Sequence, residues 1–276
     1  MSTSRVALVT GASSGIGQLT ASLLADRGYR VFGTSRREQS ISPNGVEMLV
    51  MDVRSDDSVR SCVEQMRSQV SGIDVLVNNA GQIHVSVIED TTLEQAKDVL
   101  ETNFWGVVRV TAAVLPIMRG QRSGHIINVS SLAGLVGIPG QAFYAASKFA
   151  LEGYSEALSL EVEQFNVCVA LVEPGFFKTH LHHVMHRGAL RTDDYADFRD
   201  AVERTLTAAI EEGDDPRRVA EMIVRIAGSR SRRLRYRVGT DSVWLPRLRA
   251  ILPQGLFRHG MRKRFSIDRW GSNGAA

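Results

Sequence analysis

The spacing of short apolar runs constrains this chain more than any other feature. Residues 6–10, 31–35, 46–50, 73–77, 125–129 and 167–172 are runs of strand length, and helix-length segments separate most of them. A strand apolar on both faces must be covered on both faces, so the alternation predicts one α/β domain around a buried parallel sheet. Helices are predicted after the glycine turn at 11–17 and over 56–70, 93–118 and 143–164. Gly28 ends the first, Pro216 starts a later one, and Pro116 unsettles the last turn of the third. A last strand is predicted at 235–238, while 180–213 reads as a polar, irregular insertion.

Of the 276 residues, 43% are hydrophobic, enough for one large core. No apolar run is long enough to span a bilayer, which takes about 18 residues or more. The segment before residue 6 leaves no room for a signal peptide, and two cysteines, Cys62 and Cys168, suit a reducing compartment, so the expected location is the cytoplasm. Cys168 sits in an apolar run and reads as a core residue rather than a nucleophile. The net charge of +3 hides an asymmetry: residues 217–270 hold fifteen Lys/Arg against three Asp/Glu. Such a basic end suits phosphate, anionic lipid or nucleic acid, or is simply a solvated face; no nucleic-acid motif accompanies it.

Gly11, Gly15 and Gly17 follow a strand and open a helix. Glycine allows a tight turn and close approach to a pyrophosphate, and the helix N-terminus offers unpaired N–H groups to it. Ser13, Ser14 and Ile16 complete this turn. After the second strand, Ser35-Arg36-Arg37 offers two guanidiniums and no carboxylate. Arginine matches a 2′-phosphate, so the predicted cofactor is NADP(H), held mainly by Arg36 with Ser14 as helper. Tyr144 and Lys148 stand at i and i+4, on one helix face. A phenol has a free pKa of about 10, and a neighbouring ammonium is expected to bring it down toward the working pH.

These residues resemble the short-chain dehydrogenase/reductase family over about residues 5–240. The resemblance rests on the Gly11 turn, Asn78-Asn79-Ala80-Gly81, Asn103, Ser131, Tyr144-x-x-x-Lys148 and Pro174-Gly175. The insertion and the segment at 235–241 look most like the 17β-hydroxysteroid-dehydrogenase-like branch. The resemblance implies a Rossmann-type, doubly wound, seven-stranded parallel sheet in three α/β/α layers. It implies Asp52 and Val53 near the adenine, Asn79, Ala80 and Gly81 along the cofactor, and Pro174, Gly175 and Thr179 near the nicotinamide. Catalysis falls to Ser131 and Tyr144 on the carbonyl oxygen, Lys148 beside the tyrosine, and Asn103 anchoring a water. Ser131 is preferred over Ser130 because the family spaces this serine thirteen before the tyrosine.

The expected division is a catalytic domain over 1–240, with a substrate lid at about 180–213, and a basic amphipathic extension over 241–276. Leu132, Leu135, Val136, Ile138, Phe143, Phe176, Phe177, Leu181, Val184 and Met185 favour a large apolar alcohol or ketone such as a steroid, retinoid or lipid-derived carbonyl. A 3-oxoacyl-thioester reductase is the alternative, kept open by Lys178, Arg187 and Arg191, and a non-catalytic NADP(H) sensor is a third reading. His180, His182, His183 and His186 invite a metal, but no cysteine or general base supports one. The extension is expected to pack on the domain rather than on a membrane, and the assembly to be a homodimer.

Overall fold

Each predicted strand forms, because β-branched and other apolar side chains suit a sheet covered on both faces. The computed structural model describes residues 4–38, 45–178 and 185–268. In chain order, β1 (Val6–Val9) leads into α1 (Gly15–Asp26), β2 (Arg30–Ser35), β3 (Val46–Val50) and α2 (Asp56–Arg67). There follow β4 (Val75–Asn78), the short β5 (His84–Val85), α3 (Leu93–Leu100), α4 (Gly106–Gln121), β6 (Gly124–Val129) and α5 (Ala142–Val162). The remainder comprises β7 (Val167–Pro174), β8 (His186–Arg187), α6 (Ala196–Glu211), α7 (Arg217–Ala227), β9 (Arg235–Val238), α8 (Thr240–Ile251) and α9 (Gln254–Arg264).

Seven strands make one parallel sheet in the order β3-β2-β1-β4-β6-β7-β9. Its centre is Leu8, which pairs with Phe32 on one side and Leu76 on the other, all three fully buried. On one face α1 and α7 pack through Ala21, Leu24, Val219 and Ile223. On the other, α2, α4 and α5 pack through Val59, Val63, Val110, Val114 and Leu158. The chain is therefore a single α/β domain of the doubly wound type. Strand order reverses between β1 and β4, so a crevice opens at the carboxyl ends of these strands. Beside it, Asn78 donates to Thr111 Oγ1 (3.1 Å) and Asn128 Oδ1 (2.9 Å), and Asn128 donates to Ser155 Oγ (2.8 Å). This buried ladder locks β4 and β6 to α4 and α5, because a buried amide left without partners is costly.

Three expectations need correction. The helix predicted over 93–118 is interrupted by a π-helical turn at Glu101–Trp105, after which α4 continues through Pro116 to Gln121. The described part of the insertion is not irregular: it holds β8 and α6. Val202, Leu206 and Ile210 recur every fourth residue and bury one stripe of α6, a helical period masked by the charges around it. A two-stranded parallel pair, β5 with β8, was not foreseen; it sets His84 opposite His186.

Candidate active site

The crevice at the reversal point is a cleft of about 380 Å³. At one end stands the glycine turn. Gly11 and Gly15 adopt φ of 65° and 56°, a left-handed conformation that disfavours a side chain. A Cβ on Gly11 would meet Ala80 Cα at 2.9 Å, and one on Gly17 would collide with the Gly11 carbonyl oxygen and the Asn79 amide. Ser14, the residue before α1, makes no side-chain cap, so the first N–H groups of that helix have no side-chain acceptor from it. Asn79 braces the turn, donating through Nδ2 to the carbonyls of Thr10 (3.0 Å) and Gly11 (3.2 Å). Thr10 Oγ1 in turn accepts from the N–H groups of Asn79 and Ala80.

The cleft wall includes Gly11, Ser13, Ser14, Gly15, Ile16, Arg36, Asp52, Val53, Asn79, Ala80, Gly81, Pro174 and Gly175, together with Ser131, Tyr144 and Lys148. Two residues named with them do not line it. Gly17 is buried in the first turn of α1, where its role is close packing, and Arg37 is exposed on the loop beyond Arg36. Thr179, with His180, Leu181, His182, His183 and Val184, lies outside the described residues. Sequence reasoning missed Arg54, which lines the cleft and donates to both Asp52 carboxylate oxygens (3.2 and 3.1 Å) and to Asp98 (2.9 Å). The Arg54 hydrogen bond, aided by the positive field of Arg36, holds the Asp52 carboxyl below its ordinary value.

At the other end α5 presents Tyr144 and, one turn on, Lys148. Ser131 opens a 3-10 turn, Leu132–Gly134, and its Oγ accepts from the Ala133 N–H (3.1 Å). Lys148 is buried, and its Nζ donates to the Val129 carbonyl (2.9 Å) while standing 5.8 Å from the Tyr144 ring centroid. Burial lowers the Lys148 pKa to about 8, and the Glu152 carboxyl opposes that drop. Burial also pushes the Tyr144 phenol up, and a hydrogen bond with Ser131 pulls it back. The expected depression by lysine is not what acts on this phenol: burial raises it, and the lowering contribution comes from Ser131.

Asn103 is reached by the π-turn. It is fully buried and its side chain is wholly engaged: Oδ1 accepts from the Gln82 N–H (2.8 Å), while Nδ2 donates to the Gln82 carbonyl (2.9 Å) and to Ser147 Oγ (3.1 Å). Ser147 donates to the Tyr144 carbonyl (2.7 Å), so Asn103 ties the Asn79-Ala80-Gly81 loop to the helix turn bearing the tyrosine. Nothing in the sequence singled out Ser147 or Gln82. Behind the lysine, a second cluster was also missed. Glu152 and Glu173 are 5% and 0% exposed, and Arg235 Nε bridges them at 3.2 and 3.5 Å, with Arg237 on Glu173 at 3.3 Å.

An apolar wall adjoins Tyr144. Leu132, Val136, Ile138, Val202 and Leu206 cluster there, with Leu135, Phe176, Met185 and Phe198 against them. From the tail, Met261 and Phe265 join the same cluster as buried members, with Leu245 and Phe257 beside them. The thiols take no part: burial pushes Cys62 up to about 11 and also raises Cys168, away from thiolate chemistry. Among the described residues no group of three His, Cys, Asp or Glu is placed to hold a metal.

A glycine-cradled helix end and a Ser/Tyr/Lys set at one cleft define a dinucleotide-dependent oxidoreductase. The comparisons with known proteins agree. Residues 5–188 match the family model described as short chain dehydrogenase. A 3-ketodihydrosphingosine reductase from Bacteroides thetaiotaomicron is 41% identical over 267 residues, covering 95% of this chain and 98% of the relative. Retinol dehydrogenase 8 from Bos taurus is 37% identical over 274 residues, covering 91% and 86%. A short-chain dehydrogenase structure from Streptomyces avermitilis superimposes with a TM-score of 0.81 at 29% identity, covering 99% and 100%. The chain belongs to the short-chain dehydrogenase family, and is an oxidoreductase with a fold for a nicotinamide cofactor.

Proposed function

We propose that this protein is an NADP(H)-dependent oxidoreductase that interconverts an alcohol and a carbonyl on a large apolar substrate, such as a steroid, retinoid or lipid-derived carbonyl. The observation that carries the reading is the juxtaposition of Tyr144, Ser131 and Lys148 with the apolar wall at one end of the glycine-turn cleft. Arg36 supports the phosphorylated form of the cofactor, since it lines the cleft directly beyond β2, whose last residues, Thr34 and Ser35, offer no carboxylate. The two relatives reported above are named for lipid carbonyl and alcohol chemistry, which supports the substrate class.

The glycine turn, the α1 N-terminus and Arg36 hold the dinucleotide, which when bound supplies or takes up the hydride. The rest of the reaction belongs to the chain. Ser131 Oγ donates a hydrogen bond to the substrate oxygen and fixes its position. Tyr144 Oη gives its proton to that oxygen as negative charge develops there in reduction, and takes it back in oxidation. A raised phenol pKa suits the donor role, and the buried Lys148 ammonium, still protonated at pH 7 with a pKa of about 8, stabilises the phenolate left behind. Asn103 holds the loop and the helix in register through Gln82 and Ser147. The apolar wall excludes water and takes the body of the substrate. Exposed Trp105, Phe149 and Leu160 on the π-turn and α5 support a homodimer, and the free cysteines a cytoplasmic site.

The test is Tyr144→Phe. NADPH affinity, read by fluorescence titration, is expected to stay within a few fold, while turnover of apolar ketones falls by about 10²- to 10⁴-fold. Unchanged turnover with bound NADPH refutes the assignment.

A further inference from the structure

The C-terminal segment has two apolar faces, and the domain covers one. On α9, Phe257 and Met261, and Phe265 just past its end, recur every fourth residue and pack into the cluster beside Tyr144. On α8, Trp244, Leu248 and Ile251 form a stripe at i, i+4 and i+7 that points away; they are 56%, 41% and 78% exposed, and Leu256 at the start of α9 is 56% exposed. A stripe of three large apolar side chains left in solvent, with a fourth five residues further along the chain, marks an interaction surface.

The charge around the stripe identifies the partner. Residues 242–267 contain six Lys/Arg and no Asp/Glu. Arg247 stacks over the Trp244 ring at 5.4 Å, so guanidinium and indole present one amphipathic edge. Arg247, Arg258 and Lys263 are exposed and have no ion-pair partner among the described residues. A second copy laid on this stripe would bring two such basic arrays together, at an electrostatic cost. An anionic bilayer surface reverses that sign: it attracts each cation and accepts tryptophan, leucine and isoleucine at the headgroup boundary.

We propose that α8 and the start of α9 dock this protein peripherally on anionic membranes. Among the described residues no helix is long and apolar enough to cross a bilayer, so the contact is interfacial. Arg249 donates to the Leu135 carbonyl, anchoring α8 over the turn that follows Ser131. Docking therefore sets the apolar pocket next to the lipid, a consequence that rests on the substrate class proposed above, so that a bilayer-dissolved substrate reaches Tyr144 without crossing water.

The experiment is co-sedimentation with vesicles of equal phosphatidylcholine and phosphatidylglycerol, against phosphatidylcholine alone. The wild-type chain is expected to pellet with the anionic vesicles only and to be released by high salt. Trp244→Ser/Leu248→Ser/Ile251→Ser is expected to bind about 10-fold more weakly or worse, the loss of at least about 1.4 kcal/mol. Its melting temperature and its NADPH-dependent turnover of a small water-soluble ketone should be unchanged, because these side chains face solvent. Arg247→Gln/Arg258→Gln/Lys263→Gln tests the charge independently should the triple serine variant not fold. Wild-type protein that stays in the supernatant, or a serine variant that pellets equally well, overturns the proposal. So does a dimer in analytical ultracentrifugation that the serine variant abolishes, since a second copy would then own the stripe. Vesicle binding without turnover of any ketone would leave the docking intact and sink the proposed activity instead.

Discussion

Arg36 and Arg54 are neighbours in the cleft with opposite assignments, and the difference lies in what each already holds. Arg54 is spent: its guanidinium is shared between Asp52 and Asp98. Arg36 forms no ion pair among the described residues and lines the cleft where β2 ends. Its positive field falls on Asp52, which Arg54 already satisfies, and this is why the proposed cofactor phosphate is assigned to Arg36. A charge-assisted bond to a phosphate is worth about 1.5–3 kcal/mol, so Arg36→Ala is expected to raise the NADPH Kd by about 10- to 100-fold. NADH lacks that phosphate, and its Kd should move by less than about 2-fold, a difference too small to reflect a lost charge-assisted bond. Paired titrations decide it: equal loss of both cofactors would show that the phosphate sits elsewhere. Arg36 was legible in the sequence because a strand end is a fixed place; Arg54 was not, because its function depends on Asp98, forty-four residues away.

The π-turn is the element that most affects the site, and no sequence pattern announced it. Periodicity over 93–118 reads as one helix, and five residues of wider winding do not disturb such a reading. The extra width lets Asn103 face the Gln82 backbone and Ser147 at once. The strands, by contrast, were legible, since a both-faces-buried sheet leaves uninterrupted apolar runs. The insertion fell between these cases: α6 buries only one stripe, and the acidic and basic residues on its other faces dominate a simple count of polarity. Asn103→Ala leaves the Gln82 N–H, the Gln82 carbonyl and the Ser147 hydroxyl without that partner, at a stability cost of about 1–3 kcal/mol. Val114→Ala, in α4 but on the far core cluster, is expected to cost a similar amount through its cavity. Only the first should lower kcat at a temperature where both remain folded. If the two variants lose activity in parallel, Asn103 serves stability alone.

Taken as a whole, the molecule buries a lysine and two carboxyls and partly covers two arginines beside them. Lys148 and Glu152 on α5, Glu173 at the end of β7, and Arg235 and Arg237 on β9 join α5 to the sheet edge. Glu152 supports the Lys148 ammonium with its charge, and Arg235 keeps Glu152 in place. The cost falls on both carboxyls: burial raises Glu152, and Glu173 is pushed up to about 7 from its ordinary 4.5, first by burial and then by the charge of Glu152, against the pull of Arg237 and Arg235. A carboxyl whose folded pKa is raised binds its proton more tightly in the native state than in the unfolded one. Its contribution to stability is full below the unfolded value and disappears as pH rises through the folded value, so the window is pH 4.5 to about 7. Across that window the wild-type protein should lose up to about 3 kcal/mol through this group, because each tenfold difference in proton affinity between the folded and unfolded chain is worth about 1.4 kcal/mol. Glutamine resembles the protonated acid and cannot ionise. Urea unfolding of Glu173→Gln beside wild type is therefore expected to show little difference near the lower end of the window. The variant should gain steadily as pH rises, and be the more stable protein at pH 8. A stability difference that stays constant across the range would mean that Glu173 is ionised throughout, held by Arg235 and Arg237 more firmly than burial opposes it.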